Sequence, residues 1–261
     1  MLISVDGARL FLDDQGHGRA IVLLHGFPLG ATLWDDQAAA LGASHRVLRP
    51  EFRGLGRSDV TAGPYLIEQL AGDVAGQLDA LGVERVALVG HSLGGAVALA
   101  FFRLFSERVE RLALVAPRVL PDSPEVLALR HELADRAERE GMAPIEKSYM
   151  ARYFAPHFAE REPAAAARVR AVMQAANPYG AAAILRGLAQ RLDSSDILAD
   201  IRVPTLVIAA EQDAIIPRAD IDALIAGIPG ARLITLGCGH MPMVEEPAAL
   251  SAALVEFFAD Y

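Results

Sequence analysis

The sequence has a single cysteine, Cys238, among 261 residues, so no disulfide can form within the chain. No apolar run approaches the roughly 18 residues that a membrane-spanning helix needs. Residues 1–6, Met-Leu-Ile-Ser-Val-Asp, lack the basic region and apolar stretch of a secretory signal. These absences predict a cytoplasmic protein that does not insert into a membrane.

Positive charge is also scarce. The chain has 24 Lys and Arg against 33 Asp and Glu, which gives a formal net charge of -9. Attraction to phosphate backbones requires a basic face, so we do not expect nucleic acid as a partner. The histidines show no metal-ligand spacing and the cysteine has no Cys or His partner in sequence, so neither a metal nor another cofactor is expected.

Strand-like runs alternate with helical patterns along most of the chain. Two short runs, 2–6 and 9–13, flank a glycine turn and predict an antiparallel hairpin at one edge. The continuous apolar run 20–24 is typical of a strand with both faces covered by helices. Further strands are predicted at 46–49, 86–90, 112–115, 205–209 and 232–236. The alternation predicts an α/β fold with a mainly parallel, doubly wound sheet.

Residues 118–200 break this alternation, because they show only helical patterning rich in Ala, Arg and Glu. We interpret them as a helical lid (cap) inserted after the sixth strand, with residues 1–117 and 201–261 forming the core domain. Such insertions can cover the carboxyl ends of the strands, where ligands bind. Five lid side chains are candidates for substrate binding, with packing inside the lid as the alternative for each: Tyr149, Met150, Tyr153, Phe154 and Met173.

A serine stands between a predicted strand and a predicted helix, in the segment 90–94, Gly-His-Ser-Leu-Gly. On a sharp strand-to-helix turn the hydroxyl of Ser92 is held out to substrate, and the flanking glycines let the strand and the helix approach closely. Ser92 is therefore a candidate nucleophile. The alternative is a buried turn with no chemistry.

A nucleophilic serine needs a base and a carboxylate that orients the base. Asp213 follows the strand that ends near residue 210, and His240 follows the strand that ends near residue 236. We expect both at the same edge of the sheet as Ser92. Glu211 is the rival carboxylate, but the later position of Asp213 in its loop favours Asp213. His91, beside the serine on a tight turn, is expected to support the site.

Acyl transfer also needs hydrogen-bond donors for the oxyanion of its intermediate. The backbone N–H of Leu93, at the start of the predicted helix, is one candidate. The second is the N–H of Phe27, in the loop 25–28, His-Gly-Phe-Pro.

The order serine, acid, histidine resembles that of the α/β-hydrolase superfamily, and the chain is similar to its cofactor-free serine esterase and 3-oxoadipate enol-lactonase-like branch. The resemblance implies hydrolysis of a small-molecule carboxylic ester or lactone through an acyl-enzyme on Ser92, with His240 as base and Asp213 orienting it. The matching segments are 25–28, 53–58 (Arg-Gly-Leu-Gly-Arg-Ser), 90–94, 213–217 and 239–240.

Other functions remain compatible with the same residues. They are C–C bond hydrolysis, perhydrolysis, and ligand sensing with a slow or vestigial set of catalytic residues. Three arginines, Arg118, Arg152 and Arg186, are candidates for meeting an acidic substrate from the lid side, although solvent or a surface ion pair is the default expectation for each. The sequence leaves the physiological substrate and the oligomeric state open.

Overall fold

Eight strands form one sheet in the computed structural model, which describes residues 1–261. They are β1 (Leu2–Val5), β2 (Ala8–Gln15), β3 (Ala20–Leu24), β4 (Arg46–Pro50), β5 (Val86–His91), β6 (Val109–Val115), β7 (Thr205–Ala210) and β8 (Arg232–Leu236).

Eleven α-helical segments connect and cover the strands. They are α1 (Asp35–Leu41), α2 (Ile67–Ala80), α3 (Leu93–Phe105), α4 (Pro124–Glu140), α5 (Ala143–Tyr153), α6 (Phe158–Arg161), α7 (Pro163–Ala175), α8 (Pro178–Leu188), α9 (Arg218–Gly227), α10 (Pro242–Glu245) and α11 (Pro247–Phe258). Short 3-10 turns span Ala31–Trp34, Ser106–Arg108 and Ser195–Asp200. None of the helices has the length and apolarity that crossing a membrane requires.

The strand order is β1-β2-β4-β3-β5-β6-β7-β8. The six strands from β4 to β8 in this order are parallel, whereas β2 pairs antiparallel with β4 and β1 pairs antiparallel with β2. Leu88 of β5 lies opposite Val22 of β3 and Leu112 of β6. The predicted α/β architecture with an edge hairpin is therefore confirmed.

The apolar sequence of the central strands follows from their position. Every residue of β3 and β5 is buried, as expected of parallel strands with helices on both faces. Helix α1 packs against α11, and α2 packs against α3. Between β3 and β4 the chain forms a 3-10 turn, Ala31–Trp34, directly before α1 begins at Asp35.

Helices α4 to α8 all lie between β6 and β7 in the chain. Helix α8 packs against α4 and, through two glycines, lies directly on the loop after β4. A Cβ atom on Gly180 would lie 2.0 Å from the carbonyl oxygen of Gly54, and one on Gly187 would lie 1.7 Å from that of Tyr65. No side chain fits at these separations, so α8 packs directly against the backbone of the loops after β4. The division into a core domain and a lid stays a prediction.

Candidate active site

Ser92 occupies the sharp turn between β5 and α3. Its φ of 52° and ψ of -110° place a residue with a side chain in a conformation that L-amino acids rarely adopt. The backbone N–H of Ser92 donates a hydrogen bond to the carbonyl oxygen of Val115, which ties the turn to β6. The strained serine is therefore held by its neighbours at the carboxyl end of the central strand.

The glycines on both sides of Ser92 are required by close backbone approach. A Cβ atom on Gly90 would lie 2.3 Å from the carbonyl oxygen of Gly94, and one on Gly94 would lie 2.2 Å from that of Leu24. Both separations are shorter than any real Cβ contact, so a larger residue at either position forces α3 away from the sheet.

The structure brings Ser92, His240 and Asp213 together. The hydroxyl Oγ of Ser92 lies 2.9 Å from Nε2 of His240, and Nδ1 of His240 lies 2.8 Å from Oδ2 of Asp213. When Nδ1–H donates to the carboxylate, Nε2 is left as the acceptor for the serine proton. The three residues follow β5, β7 and β8, so the parallel topology places them at one edge of the sheet.

Asp213 is held as a carboxylate. Its other oxygen, Oδ1, accepts hydrogen bonds from the backbone N–H groups of Ile215 at 2.7 Å and Ile216 at 2.9 Å. Burial opposes ionisation, but the charge and hydrogen bond of His240 and these two N–H groups outweigh it, so the pKa of Asp213 is lowered. The rival carboxylate, Glu211, is exposed and makes no hydrogen bond to His240.

Two further histidines support the site. His91 is fully buried and donates a hydrogen bond from Nε2 to the carbonyl oxygen of His240 at 2.8 Å. Burial and the neighbouring His240 lower the pKa of His91 to about 3, so its ring stays neutral. His25 accepts the backbone N–H of Phe52 at Nε2 and donates from Nδ1 to the carbonyl oxygen of Gly26.

Both predicted oxyanion donors belong to residues that border the serine. Phe27 and Leu93 line one cavity together with Ser92, and both are buried. Leu93 begins α3, where N–H groups of the first turn have no partner within the helix. The phenol of Tyr153 donates a hydrogen bond to the carbonyl oxygen of Phe27 and its ring stacks on that of His240, with centroids 5.7 Å apart.

Comparison with known proteins identifies the family. Residues 19–247 match the family described as alpha/beta hydrolase fold. The chain belongs to the α/β-hydrolase family. Helices α4 to α8 therefore occupy the chain position between β6 and β7 of an α/β-hydrolase sheet, and the protein is a hydrolase.

Several relatives of this α/β-hydrolase are similar over nearly the whole chain. A protein of Azorhizobium caulinodans, named for a proposed carbamate hydrolase activity, is 32% identical over 96% of this chain and 95% of its own. The structure of a malate-bound thermophilic esterase from Thermogutta terrifontis is 34% identical and covers 99% of this chain and 96% of its own, with a TM-score of 0.94. The enol-lactonase from Burkholderia xenovorans is 32% identical over 99% of this chain and 100% of its own, with a TM-score of 0.94.

The five lid side chains predicted to bind substrate lie in different surroundings in the hydrolase. Tyr149 lines the cavity beside Ser92. Tyr153 is buried beside His240, and Met173 is buried among apolar side chains. Met150 and Phe154 pack against the apolar core and do not line the cavity. Of the five candidates, Tyr149 alone lines the cavity next to the nucleophile.

Sequence reasoning missed Glu245, at the end of α10. Its carboxylate accepts hydrogen bonds from the backbone N–H groups of Gly239 at 3.1 Å and Met241 at 3.3 Å, the two neighbours of His240. It also accepts the N–H of Ala155 at 2.8 Å. No motif marks this residue, since its partners are backbone groups that every sequence supplies.

A second cavity, of about 670 Å³, lies outside the site, between the loop near Leu29, helix α7 and α10. It contains none of Ser92, Asp213 and His240. The cavity that does contain Ser92 is smaller, about 80 Å³. No group of three or more His, Cys, Asp or Glu side chains is arranged to hold a metal ion.

Proposed function

We propose that the protein hydrolyses carboxylic esters or lactones through an acyl-enzyme on Ser92. The observation that carries the proposal is the continuous hydrogen-bonded chain from Ser92 through His240 to Asp213, with distances of 2.9 and 2.8 Å. Through these two hydrogen bonds the serine is within reach of its base, and the base is oriented by an ionised carboxylate. These are the requirements for an activated oxygen nucleophile.

The proposed reaction has two halves. In the first, Nε2 of His240 takes the proton of Ser92 while Oγ attacks the carbonyl carbon, and the proton then passes to the departing alcohol oxygen. In the second, His240 takes a proton from water and the hydroxide attacks the acyl carbon. The bond between that carbon and Oγ then breaks, the carboxylic acid leaves, and the proton returns to Oγ of Ser92. The N–H groups of Phe27 and Leu93 stabilise the oxyanion in both halves.

Relatives named as an esterase and as lactonases support ester or lactone substrates, while the Azorhizobium relative is named for a carbamate substrate. The Thermogutta esterase and the Burkholderia enol-lactonase both cover 99% of this chain at more than 30% identity. A 3-oxoadipate enol-lactonase from Acinetobacter baylyi is 27% identical over 92% of it. Cleavage of a lactone is the same acyl transfer with the leaving alcohol still attached to the acyl group.

The experiment is hydrolysis of p-nitrophenyl esters from acetate to decanoate by wild type and Ser92→Ala, together with mass detection of a phosphonate adduct. We expect turnover and labelling at Ser92 in wild type and neither in the variant. Ser4→Ala, which alters an exposed serine of β1, is the matched control and should behave as wild type. Wild-type turnover in Ser92→Ala would contradict the proposal.

C–C bond hydrolysis is a second candidate because a 2-hydroxy-6-oxo-2,4-heptadienoate hydrolase from Pseudomonas putida is 29% identical over 99% of this chain. Incubation with a ring-cleavage diketone distinguishes the two, since an ester hydrolase leaves it intact. Peroxide-dependent halogenation identifies perhydrolysis in the same way. A ligand that raises the melting temperature without being hydrolysed would instead indicate a sensor.

A further inference from the structure

The wall of the cavity beside Ser92 carries positively charged side chains without acidic ones. The remaining lining of the cavity is mainly apolar. The chain as a whole carries a net charge of -9, so this local excess of positive charge runs against the average of the molecule. Four arginines contribute to the wall: Arg118, Arg130, Arg152 and Arg191.

The negative charge behind this wall does not balance the arginines. Asp122, whose side chain is 2% exposed, accepts hydrogen bonds from Arg118 at 2.8 Å and Arg130 at 2.6 Å, and Arg191 lies 3.6 Å away. The second carboxylate, Asp220, lies 3.8 Å from Nε of Arg118. The two carboxylates therefore contact three of the four guanidinium groups, and no carboxylate contacts Arg152. The four arginines outnumber these carboxylates by two.

Asp220 also accepts hydrogen bonds from two backbone N–H groups. Its Oδ1 accepts the backbone N–H groups of Val119 at 2.7 Å and Leu120 at 2.8 Å. Burial, together with the charges of nearby arginines, lowers the pKa of Arg191 despite the neighbouring Asp122.

Two of the four arginines retain unused donors. Nε of Arg118 is buried and has no hydrogen-bond partner in the protein. Arg152 donates to the carbonyl oxygen and the hydroxyl of Ser148, one turn earlier in α5, and its guanidinium lies 5.5 Å from the ring centre of Tyr149. No carboxylate pairs with Arg152. Both arginines are partly buried, and their guanidinium groups line the cavity, where an anion that enters can pair with them.

We propose that the substrate carries a carboxylate on its acyl part, which binds to Arg152 and Arg118 while the ester or lactone carbonyl lies at Ser92. The inference rests on the proposed function and specifies its substrate class. Guanidinium groups recognise carboxylates through paired hydrogen bonds, and these are strong where water is excluded. The cavity volume of about 80 Å³ favours a short acyl chain.

The experiment compares two esters of the same shape, monoethyl succinate and ethyl succinamate, in which a neutral amide replaces the carboxylate. We expect wild type to prefer monoethyl succinate in kcat/KM. Arg152→Gln should lower that value about tenfold, the effect of one charged hydrogen bond, and should lower the value for ethyl succinamate by a clearly smaller factor, because its amide carries no charge. Arg139→Gln, at an exposed arginine of α4, is the matched control and should change neither.

A binding measurement separates this inference from the proposed function. Calorimetric titration with succinate should show binding to wild type and about tenfold weaker binding to Arg152→Gln. Succinate binding without hydrolysis of any ester would contradict the ester hydrolase and support the anion site. Equal kcat/KM for the two esters in wild type, an equal loss on both in Arg152→Gln, or no succinate binding would overturn the anion site and leave the ester hydrolase standing.

Discussion

The carboxylate of Glu245 accepts the backbone N–H of Ala155 at 2.8 Å. Through this bond the segment between α5 and α6 is joined to the turn that carries His240, because the same carboxylate holds the N–H groups of Gly239 and Met241. A Cβ atom on Gly239 would lie 2.3 Å from the backbone nitrogen of Ala155. The two backbones thus touch, and Glu245 satisfies the donors on both sides.

Replacement of this carboxylate should weaken catalysis through the position of His240. Glu245→Gln leaves one carbonyl oxygen for three N–H donors, so we expect kcat to fall about tenfold, as for one or two lost hydrogen bonds, with a lower melting temperature. Steady-state kinetics and thermal unfolding measure the two effects. Glu246→Gln changes the exposed neighbour and is the control. A wild-type kcat in Glu245→Gln would show that His240 is held without this carboxylate.

Asp213 and Glu211 should differ sharply when each is made neutral. Asp213→Asn removes the charge that orients His240 and stabilises its protonated form, and we expect kcat to fall about 10³- to 10⁴-fold. Glu211→Gln alters an exposed side chain and should leave kcat within about twofold. Kinetics of the two variants on one ester test this. If Glu211→Gln caused the larger loss, the carboxylate would be wrongly assigned.

The lowered pKa of Asp213 also predicts how stability depends on pH. Because its folded-state pKa lies below that of the unfolded chain, the carboxylate stabilises the fold at pH values above the unfolded pKa, and this contribution is lost as the pH falls through the folded pKa. Asp213→Asn should therefore flatten the acid limb of the unfolding free energy. Urea unfolding at a series of acidic pH values measures it, and an unchanged acid limb would count against the pKa shift.

Tyr153 should act on catalysis through the oxyanion loop. Its phenol donates to the carbonyl oxygen of Phe27, and burial raises its pKa, so it remains a donor at alkaline pH. We expect Tyr153→Phe to lower kcat about three- to tenfold with little change in KM, the scale of one neutral hydrogen bond. Tyr179→Phe is the control, because Tyr179 is 60% exposed. Equal kinetics for the two variants would show that the bond does not position Phe27.

A buried ion pair should make the loop after β4 sensitive to mutation. Arg53 donates to Asp73 of α2 at 2.6 and 3.0 Å, with side chains 3% and 5% exposed. Asp73→Ala leaves a buried guanidinium without its partner, and we expect a loss of about 3 to 5 kcal/mol in unfolding free energy. Arg9→Ala, in an exposed pair with Asp59, should change the urea midpoint little. Comparable losses in both variants would contradict the importance of burial.

The positions of the segments around the site could be predicted from the sequence because they depend on strands. Ser92, Asp213 and His240 each follow an apolar run, and parallel strands bring their carboxyl ends to one edge. The glycines around Ser92 also indicate the turn, because a sharp turn between a strand and a helix requires small residues within a few positions of its centre. The order of strands and loops along the sequence therefore indicates which residues lie at the same edge of the sheet.

The lid side of the cavity could not be predicted in the same way. Helix phase relative to the cavity is set by packing between helices, so Tyr149 borders the site while Met150, the next residue, does not. Arg152 lines the cavity, whereas Arg186 forms exposed ion pairs with Asp135 and Glu138. Both arginines lie in the last turn of a lid helix, α5 or α8, and the tertiary arrangement determines which of them lines the cavity.

The two glycine contacts of α8 divide the helical segment into a part that can be redesigned and a part that cannot. A mutant library over the whole of residues 118–200 would lose every clone with a side chain at Gly180 or Gly187, since neither contact leaves room for one. A library restricted to the cavity-facing positions of α4 and α5 changes the space beside Ser92 and leaves the contacts of Gly180 and Gly187 with the loop after β4 intact. New substrate ranges should therefore be sought on α4 and α5, with α8 kept as the fixed base on which they are varied.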